Sequence, residues 1–244
     1  MDYKKIISLC GVGPKLSMQD FGIHGQPENK KFQWLIVCDG IGGMPFGEVA
    51  AQTTVSTLDC YFKNELKDDF IQIDSDFFKD GLAKVKSEFI HLIRTNPKYE
   101  MMGCTLCTAI FHDKEVYICW SGDTRLYLFR ENECFWDTIP HSWVFDLFRK
   151  GVLSIEEARV SESNYLTGSI NSYSKSIRFD FHRLQLIKDD RLIICTDGIW
   201  GLYEHKDFVN MCMKESVKNI EFTLRTHLND FANDNYCGYF VEIL

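Results

Sequence analysis

The sequence of 244 residues lacks long apolar segments, an excess of basic charge and low-complexity tracts. No stretch reaches the roughly 18 apolar residues that a membrane-spanning helix needs, so we expect no such helix. The formal net charge is −8, which argues against non-specific binding to nucleic acids or anionic membranes, because both require basic surfaces. The N-terminal residues also lack the apolar core and cleavage site of a signal peptide. We therefore expect a cytoplasmic protein.

The composition is that of a globular protein with a substantial core. Hydrophobic residues make up 45% of the chain and charged residues 25%, which are ordinary proportions. No linker or charge block divides the sequence, and we predict one domain over residues 1–244. The ten cysteines lie mostly within apolar runs, and we interpret them as reduced core residues. Cys104 and Cys107 have CxxC spacing, but strand residues three apart face opposite sides, which argues against a zinc or redox site.

The most informative segment runs from Phe32 to Thr57. Its apolar start predicts a buried strand that ends at Asp39, followed by a glycine-rich turn and by a helix from about Gly47. Such a turn lets the backbone approach a ligand closely, although Asp-Gly is also a common turn dipeptide. The same arrangement recurs downstream, where an apolar run ends in Asp197-Gly198-Ile199. Because the arrangement occurs twice, we prefer a functional role for these segments over two unrelated turns.

Hydrophobic periodicity predicts both strands and helices along the chain. The strands are predicted at about residues 6–12, 21–24, 32–38, 104–111, 115–120, 125–130, 191–196 and 236–243, and the helices at about residues 47–66, 76–95, 206–214 and 220–231. Short strands joined by tight turns indicate antiparallel pairing. We therefore predict an α+β fold, a four-layer α-β-β-α sandwich with two central, mainly antiparallel sheets flanked by helices. A long, irregular connection at about residues 140–174 is typical of a functional segment.

Four aspartates occupy predicted strand ends: Asp20, Asp39, Asp197 and Asp234. Oxygen ligands of this kind are what Mg²⁺ and Mn²⁺ prefer. Two such ions about 3.5–4 Å apart can activate a shared water and neutralise a phosphoryl group. Taken singly, each aspartate is more often a turn or cap residue, and the prediction depends on all four converging.

The chain resembles the type 2C metal-dependent protein serine/threonine phosphatases, the PPM family, in their compact bacterial form. The resemblance covers nearly the whole sequence and rests on several motifs in the family's order. These are Asp39-Gly40-Ile41-Gly42-Gly43 with Gly47-Glu48-Val49-Ala50, Met102-Gly103-Cys104-Thr105-Leu106, Ser121-Gly122-Asp123-Thr124-Arg125, His141-Ser142-Trp143, Leu166-Thr167-Gly168, Cys195-Thr196-Asp197-Gly198-Ile199-Trp200 and Asp234-Asn235. Each motif is weak evidence alone, but together they are highly specific.

The resemblance implies the site residues and the reaction. Asp39 would bridge two Mn²⁺ or Mg²⁺ ions, the Gly40 carbonyl would bind one of them, and Asp197 and Asp234 would complete the ligands. The catalytic residues implied are thus Asp39, Asp197 and Asp234. A metal-bridging water would attack the phosphate of phosphoserine or phosphothreonine directly, without a phosphoenzyme.

The resemblance implies further parts of the site. Asp20 would contact metal-bound water, and Asp123 would join Asp197 at a weaker third ion. Residues 140–174 would form a mobile flap subdomain with His141 at its start, and we favour a structural role for His141 over a catalytic one. The expected partners are phosphorylated proteins, including a serine/threonine kinase and its substrates, and we expect a monomer.

Several residues depart from the family pattern. Lys15 stands where an arginine commonly holds the phosphate, and it lacks the bidentate fork of arginine. Gln19 replaces a frequent glutamate, and Ile41 replaces the histidine that acts as an acid in eukaryotic members. Gly168 stands where an arginine is usual, which would loosen the flap. None of these changes removes a metal ligand.

Other functions fit the sequence less well. A phosphatase with an aspartate nucleophile usually needs a second aspartate two residues on, where this chain has Ile41. A nucleotide-binding loop would need G-x-G-x-x-G or P-loop spacing, which is absent. The serious alternative is a weak or inactive phosphatase-like domain that binds phosphoproteins as a regulatory module. Because Asp39, Asp197 and Asp234 are all present, we favour the enzyme.

Overall fold

The structure of the chain, a computed structural model, describes residues 3–68, 70–161 and 165–244. The remaining residues lie outside this description, and those at 162–164 fall within the predicted flap segment. The strands are β1 (Tyr3–Gly11), β2 (Asp20–Gly25), β3 (Phe32–Asp39), β4 (Gly103–Cys104), β5 (Leu106–His112), β6 (Glu115–Ser121), β7 (Arg125–Arg130), β8 (Glu133–Asp137), β9 (Ile170–Asn171), β10 (Asp180–Gln185), β11 (Arg191–Cys195) and β12 (Tyr236–Ile243). The helices are α1 (Gly47–Glu65), α2 (Ser75–Thr95), α3 (Trp143–Arg149), α4 (Ile155–Val160), α5 (Asp197–Trp200), α6 (His205–Lys214) and α7 (Val217–Phe231), with a 3₁₀ turn at Pro97–Met101.

The strands form two antiparallel five-stranded sheets. Sheet I has the order β1-β12-β11-β7-β8, and sheet II has the order β10-β6-β5-β3-β2. Strands β4 and β9 form a separate short pair. The interior strand β3 shows why the predicted run is apolar throughout: Trp34 and Ile36 join the helix-side core, whereas Leu35 and Val37 join the core between the sheets. A strand buried on both faces has no polar alternation.

Helices cover the outer face of each sheet. Leu58 and Phe62 of α1 and Phe78 of α2 pack in the core on sheet II, while Phe208 of α6 and Leu224 of α7 pack in the core on sheet I. Helix α2 begins where the Asp74 side chain accepts hydrogen bonds from two backbone N–H groups of the first turn. The predicted α+β, four-layer sandwich is confirmed. Within the described ranges, no helix is long and apolar enough to cross a membrane.

The predicted strand over residues 104–111 is wrong at Thr105. The Thr105 N–H donates to the Asp39 carbonyl at 2.7 Å, so the segment divides there into β4 and β5. The residues on either side still obey strand alternation, because Cys104 belongs to the helix-side core and Cys107 to the core between the sheets. This arrangement agrees with the prediction that the CxxC spacing is no ligand pair.

The prediction that every cysteine is reduced is wrong for one pair. Cys10 and Cys237 lie opposite each other in the β1–β12 register, and their sulfur atoms form a disulfide. Direct cross-strand pairing brings the two side chains together on one face, which sequence spacing does not reveal. The other eight cysteines are free, and most of them are buried.

Candidate metal and phosphate site

Carboxylates from both sheets meet at one end of the sandwich. Asp20 begins β2 and lies opposite Asp39 at the end of β3, while Asp197 follows β11 and Asp234 precedes β12. The meeting point is a cleft of about 300 Å³. It is lined by Lys15, Gln19, Asp39, Gly40, Ile41, Gly42, Thr105, Asp123, Leu166, Asp197, Asp234 and Asn235. Apart from Asp20, which pairs with Asp39 in the β2–β3 register, every predicted site residue lines this cleft.

Asp20 is held by a hydroxyl from the opposite sheet. Its side chain is buried, and the Thr196 hydroxyl donates to Asp20 Oδ2 at 2.6 Å. Thr196 itself is fixed to β12, because the Cys237 N–H donates to Thr196 Oγ1 at 2.9 Å. The hydrogen bond therefore ties the start of β2 in sheet II to the end of β11 in sheet I.

Asp39 and Gly40 are fixed through their backbone. The Asp39 N–H donates to Thr105 Oγ1 at 3.1 Å, and the Gly40 N–H donates to the Gln19 carbonyl at 3.0 Å. A Cβ atom at Gly40 would lie 2.6 Å from the backbone of Gly47. Glycine at position 40 thus allows the start of α1 to pack directly against the strand end.

Asp234 has a partner for each carboxylate oxygen. The Asn235 N–H donates to Oδ1 at 2.8 Å, and Lys15 Nζ lies 2.9 Å from Oδ2. The buried Asn235 side chain accepts from the Gln19 N–H at 2.6 Å and donates to the Val12 carbonyl at 2.7 Å. These bonds join the loop after β1, which carries Lys15, to the start of β12.

The carboxylates perturb one another. Burial raises the pKa of Asp20 to about 7, although hydrogen bonds from Thr196 and Asp39 oppose the rise. Burial also raises the pKa of Asp39 well above its ordinary value, and the charges of Asp20 and Asp197 add to the shift. Burial raises the pKa of Asp123 to about 7, with repulsion from Asp197 adding, and burial raises the pKa of Asp197. The cluster therefore holds more negative charge than the surrounding chain neutralises.

This donor set fits a hard divalent cation by its chemistry. All the candidate ligands are carboxylate or carbonyl oxygens, as Mg²⁺ and Mn²⁺ prefer, and the raised pKa values show that ionised aspartates there need a positive charge nearby. In the described part of the chain, no three His, Cys, Asp or Glu side chains already surround one point as ligands. The fit thus lies in the donors and their electrostatics, and Lys15 supplies a positive charge at the same place.

The turn that carries Asp123 is braced by a buried histidine. The His141 N–H donates to the Gly122 carbonyl at 2.9 Å, and the Gly122 N–H donates to His141 Nδ1 at 3.2 Å. Because Nδ1 accepts, Nε2 carries the proton and faces Asp180 Oδ2 at 3.1 Å. His141 does not line the cleft, in agreement with the structural role predicted for it.

Gly168 packs against His141. A Cβ atom at Gly168 would lie 2.8 Å from His141 Cβ, so no larger side chain fits there. The same region is held by Arg178, which forms an ion pair with Asp146 of α3 and donates to Thr167 Oγ1 at 2.9 Å. Gly168 is therefore closely packed, and its effect on the mobility of this segment stays a prediction.

Some site residues were not predicted from the sequence. Thr196 and Thr105 orient Asp20 and Asp39, and Asn235 positions Asp234. A signal existed for Thr196, because a hydroxyl at the end of an otherwise apolar strand needs a hydrogen-bond partner when buried. The identity of that partner depends on how the two sheets face each other, which the sequence does not show.

Comparisons with known proteins identify the family of the chain. The family model described as protein phosphatase 2C matches residues 15–231. The serine/threonine phosphatase stp of Listeria welshimeri is 29% identical over 219 residues, which cover 88% of this chain and 86% of the relative. The crystal structure of Stp1 from Staphylococcus aureus has a TM-score of 0.83 at 22% identity and covers 100% of this chain and 96% of its own. The catalytic domain of PstP in complex with two manganese ions has a TM-score of 0.74 at 20% identity and covers 98% and 97%.

The chain belongs to the protein phosphatase 2C family. The predicted family and the predicted enzyme class, a metal-dependent phosphoprotein phosphatase, are thereby confirmed. These findings support the enzyme and not the inactive binding module.

Proposed function

We propose that this chain hydrolyses phosphoserine and phosphothreonine monoesters of proteins, using two manganese or magnesium ions in the acidic cleft. The observation that carries the proposal is the meeting of carboxylates from both sheets beside one lysine. The named serine/threonine phosphatase relatives support the substrate class. The two manganese ions in the PstP complex support the number and kind of ions.

The proposal assigns each ligand to the chain's own atoms. Asp39 would contact both ions, the Gly40 carbonyl one of them, and Asp197 and Asp234 would complete the set. When bound, such ions supply charge neutralisation for the phosphoryl group and a nucleophile at neutral pH. The remaining chemistry falls to positioning, since phosphoryl transfer depends mainly on placement and electrostatics.

Two further residues extend the site under this proposal. Asp20, which accepts a hydrogen bond from Thr196, would orient solvent, and Asp123 would share a weaker third ion with Asp197. Lys15 would hold the phosphate as a point charge, with less geometric selection than an arginine fork provides.

The finer biological assignments follow from the same function. We expect the substrates to be phosphoproteins, including a serine/threonine kinase and its targets, and we expect a monomer. Eight of the ten cysteines are free, and on this balance we place the protein in the cytoplasm, where the single Cys10–Cys237 disulfide would be an exception.

The proposal is tested by hydrolysis of an aryl phosphate with Mn²⁺, with Mg²⁺ and with a chelator. Asp197→Asn is expected to lower the metal-dependent kcat/KM by about a hundredfold, and Asp39→Asn by about a thousandfold, because Asp39 would contact both ions. Asp189→Asn is the control. Asp189 is exposed beyond the other end of β11 in left-handed backbone, which asparagine tolerates.

Phosphopeptides then test the substrate class. Release of phosphate from phosphoserine and phosphothreonine peptides, but not from matched phosphotyrosine peptides, is the expected result. Equal residual rates in wild type, Asp39→Asn and Asp197→Asn, with no dependence on metal, would contradict the proposal.

A further inference from the structure

Lys15 lies at the acidic centre and contacts a proposed metal ligand. Its Nζ atom is 2.9 Å from Asp234 Oδ2. The hydrogen bond to Asp234 raises the pKa of Lys15, and the charges of Asp234, Asp197 and Asp39 raise it further. The ammonium group therefore interacts electrostatically with all three aspartates that are proposed to hold the ions, and not with Asp234 alone.

A divalent ion on Asp234 would lie very close to this ammonium group. The Asn235 N–H donates to Oδ1, and Lys15 Nζ contacts the other carboxylate oxygen, Oδ2. A Mg²⁺ or Mn²⁺ ion lies about 2.1 Å from a ligand oxygen, so an ion on Oδ2 would be no more than about 5 Å from Nζ. Like charges at that separation repel, although solvent weakens the repulsion at a half-exposed side chain.

The Lys15 side chain has room to leave Asp234. It is 47% exposed, and an ammonium on a flexible stem can change partners more readily than an arginine held by two hydrogen bonds. Lys15 and Asp234 line the same cleft. A phosphate bound there would offer several anionic oxygens as an alternative partner for the ammonium group.

From these contacts we propose that Lys15 competes with the metal for Asp234, and that a phosphate group in the cleft ends the competition by taking over the ammonium. The inference rests on the proposed metal centre and goes beyond it. It makes metal and phosphate binding mutually favourable, and this coupling is the same in both directions. An arginine anchored to the phosphate alone would not produce it.

Calorimetric titration with Mn²⁺ tests the competition. Lys15→Met keeps the apolar stem and removes the charge, and it is expected to bind Mn²⁺ roughly two- to fivefold more tightly than wild type, as suits a half-exposed ion pair. Lys188→Met is the control, because it makes the same charge change at an exposed position beyond the far end of β11. It is expected to leave the Mn²⁺ affinity unchanged.

A double-mutant cycle separates competition at Asp234 from a general effect of charge. Lys15→Met is introduced into Asp234→Asn, and the Mn²⁺ that still binds is measured. Competition predicts that the effect of Lys15→Met disappears in this background. A second titration, with inorganic phosphate present, is expected to tighten Mn²⁺ binding more in wild type than in Lys15→Met.

Three outcomes would overturn the inference. Equal Mn²⁺ affinities of wild type and Lys15→Met would remove the competition, and an unchanged effect in the Asp234→Asn background would assign it to long-range charge. An equal effect of phosphate in both proteins would remove the exchange of partners. By contrast, a wild-type protein that binds no Mn²⁺ would overturn the proposed metal centre itself.

Discussion

The two Asp-Gly-Ile segments share a sequence but end their strands differently. Asp39 is the last residue of β3 and is fixed by backbone bonds to Thr105. In the second segment an extra residue, Thr196, follows the strand, and Asp197 begins the short helix α5. The extra residue supplies the hydroxyl that reaches Asp20. Because of this one additional residue, the second segment can bind Asp20 of the other sheet, whereas the first segment cannot.

The glycines of the two segments are needed for different contacts. Gly40 allows α1 to approach the strand end, because a Cβ atom would lie 2.6 Å from Gly47. Gly198 faces the backbone of the Asp234 loop, and a Cβ atom there would lie 1.8 Å from the Asn235 carbonyl. The first segment is therefore packed against the helix on its own sheet, and the second against the loop that carries Asp234.

Of the substitutions considered, alanine at these two glycines is expected to change stability most. Gly198→Ala is expected to lower the free energy of unfolding by about 3 kcal/mol, and Gly40→Ala by about 2 kcal/mol, because backbone must move in both cases. Gly42→Ala is the control, since a Cβ atom there meets nothing within 4 Å. Urea denaturation measures all three, and a Gly198→Ala protein as stable as Gly42→Ala would contradict the packing argument.

Removal of the Thr196 hydroxyl should weaken one half of the site. Thr196→Val is expected to cost about 1–3 kcal/mol of stability, since Asp20 and the Cys237 N–H both lose a buried partner. It is also expected to weaken Mn²⁺ binding by about tenfold. Thr108→Val is the matched control, because Thr108 is a buried residue whose hydroxyl donates to the Leu35 carbonyl. Denaturation and calorimetry should show a stability loss in both variants but a metal effect only in Thr196→Val.

The stability of the chelator-treated protein should depend on pH through the buried carboxylates at the two strand ends. The folded-state pKa values of Asp20 and Asp123 are about 7, against an ordinary 3.8. The folded form therefore binds these protons more tightly than the unfolded form, so stability should be greatest below pH 4 for these groups and fall as the pH rises towards 7.

Between pH 4 and pH 7 the free energy of unfolding of the chelator-treated protein should fall by at least about 1 kcal/mol, and saturating Mn²⁺ should abolish this fall. Asp20→Asn should remove the contribution of Asp20 to this loss of stability, and Asp123→Asn should remove the contribution of Asp123. The contrasting aspartate is Asp146, where the hydrogen bond to Arg178 lowers the pKa to about 2. Its contribution is present above pH 4 and is lost as the pH falls towards 2. Denaturation curves from pH 3 to pH 8 would reveal both trends, and a flat profile with chelator would contradict the first.

The sequence predicted the buried elements well because their side chains repeat with clear periods. Strand β7 and strand β12 lie where alternation and apolar content placed them, and helix α1 begins at the predicted Gly47. Strands β8 and β10 were missed, since both lie at sheet edges and carry mostly exposed or half-exposed side chains. These two strands bury few side chains, so they leave little apolar signal in the sequence.

The candidate site was predictable as far as its carboxylates. Asp39 and Asp197 stand out because each follows an apolar run, and Asp234 stands out because it precedes one. The bonds that orient them were not predictable, because Thr196 and Asn235 reach partners in distant segments. The disulfide between Cys10 and Cys237 was hidden for the same reason: it depends on strand register.

The contact of Gly168 with His141 limits how this phosphatase can be altered. An arginine introduced at position 168 would displace His141, which holds Gly122 beside Asp123. The substitution would thus disturb the proposed third-ion position before it changed the segment that follows. Position 168 and the turn that carries Asp123 are coupled through His141, so a substitution at position 168 would have to be combined with a change at His141.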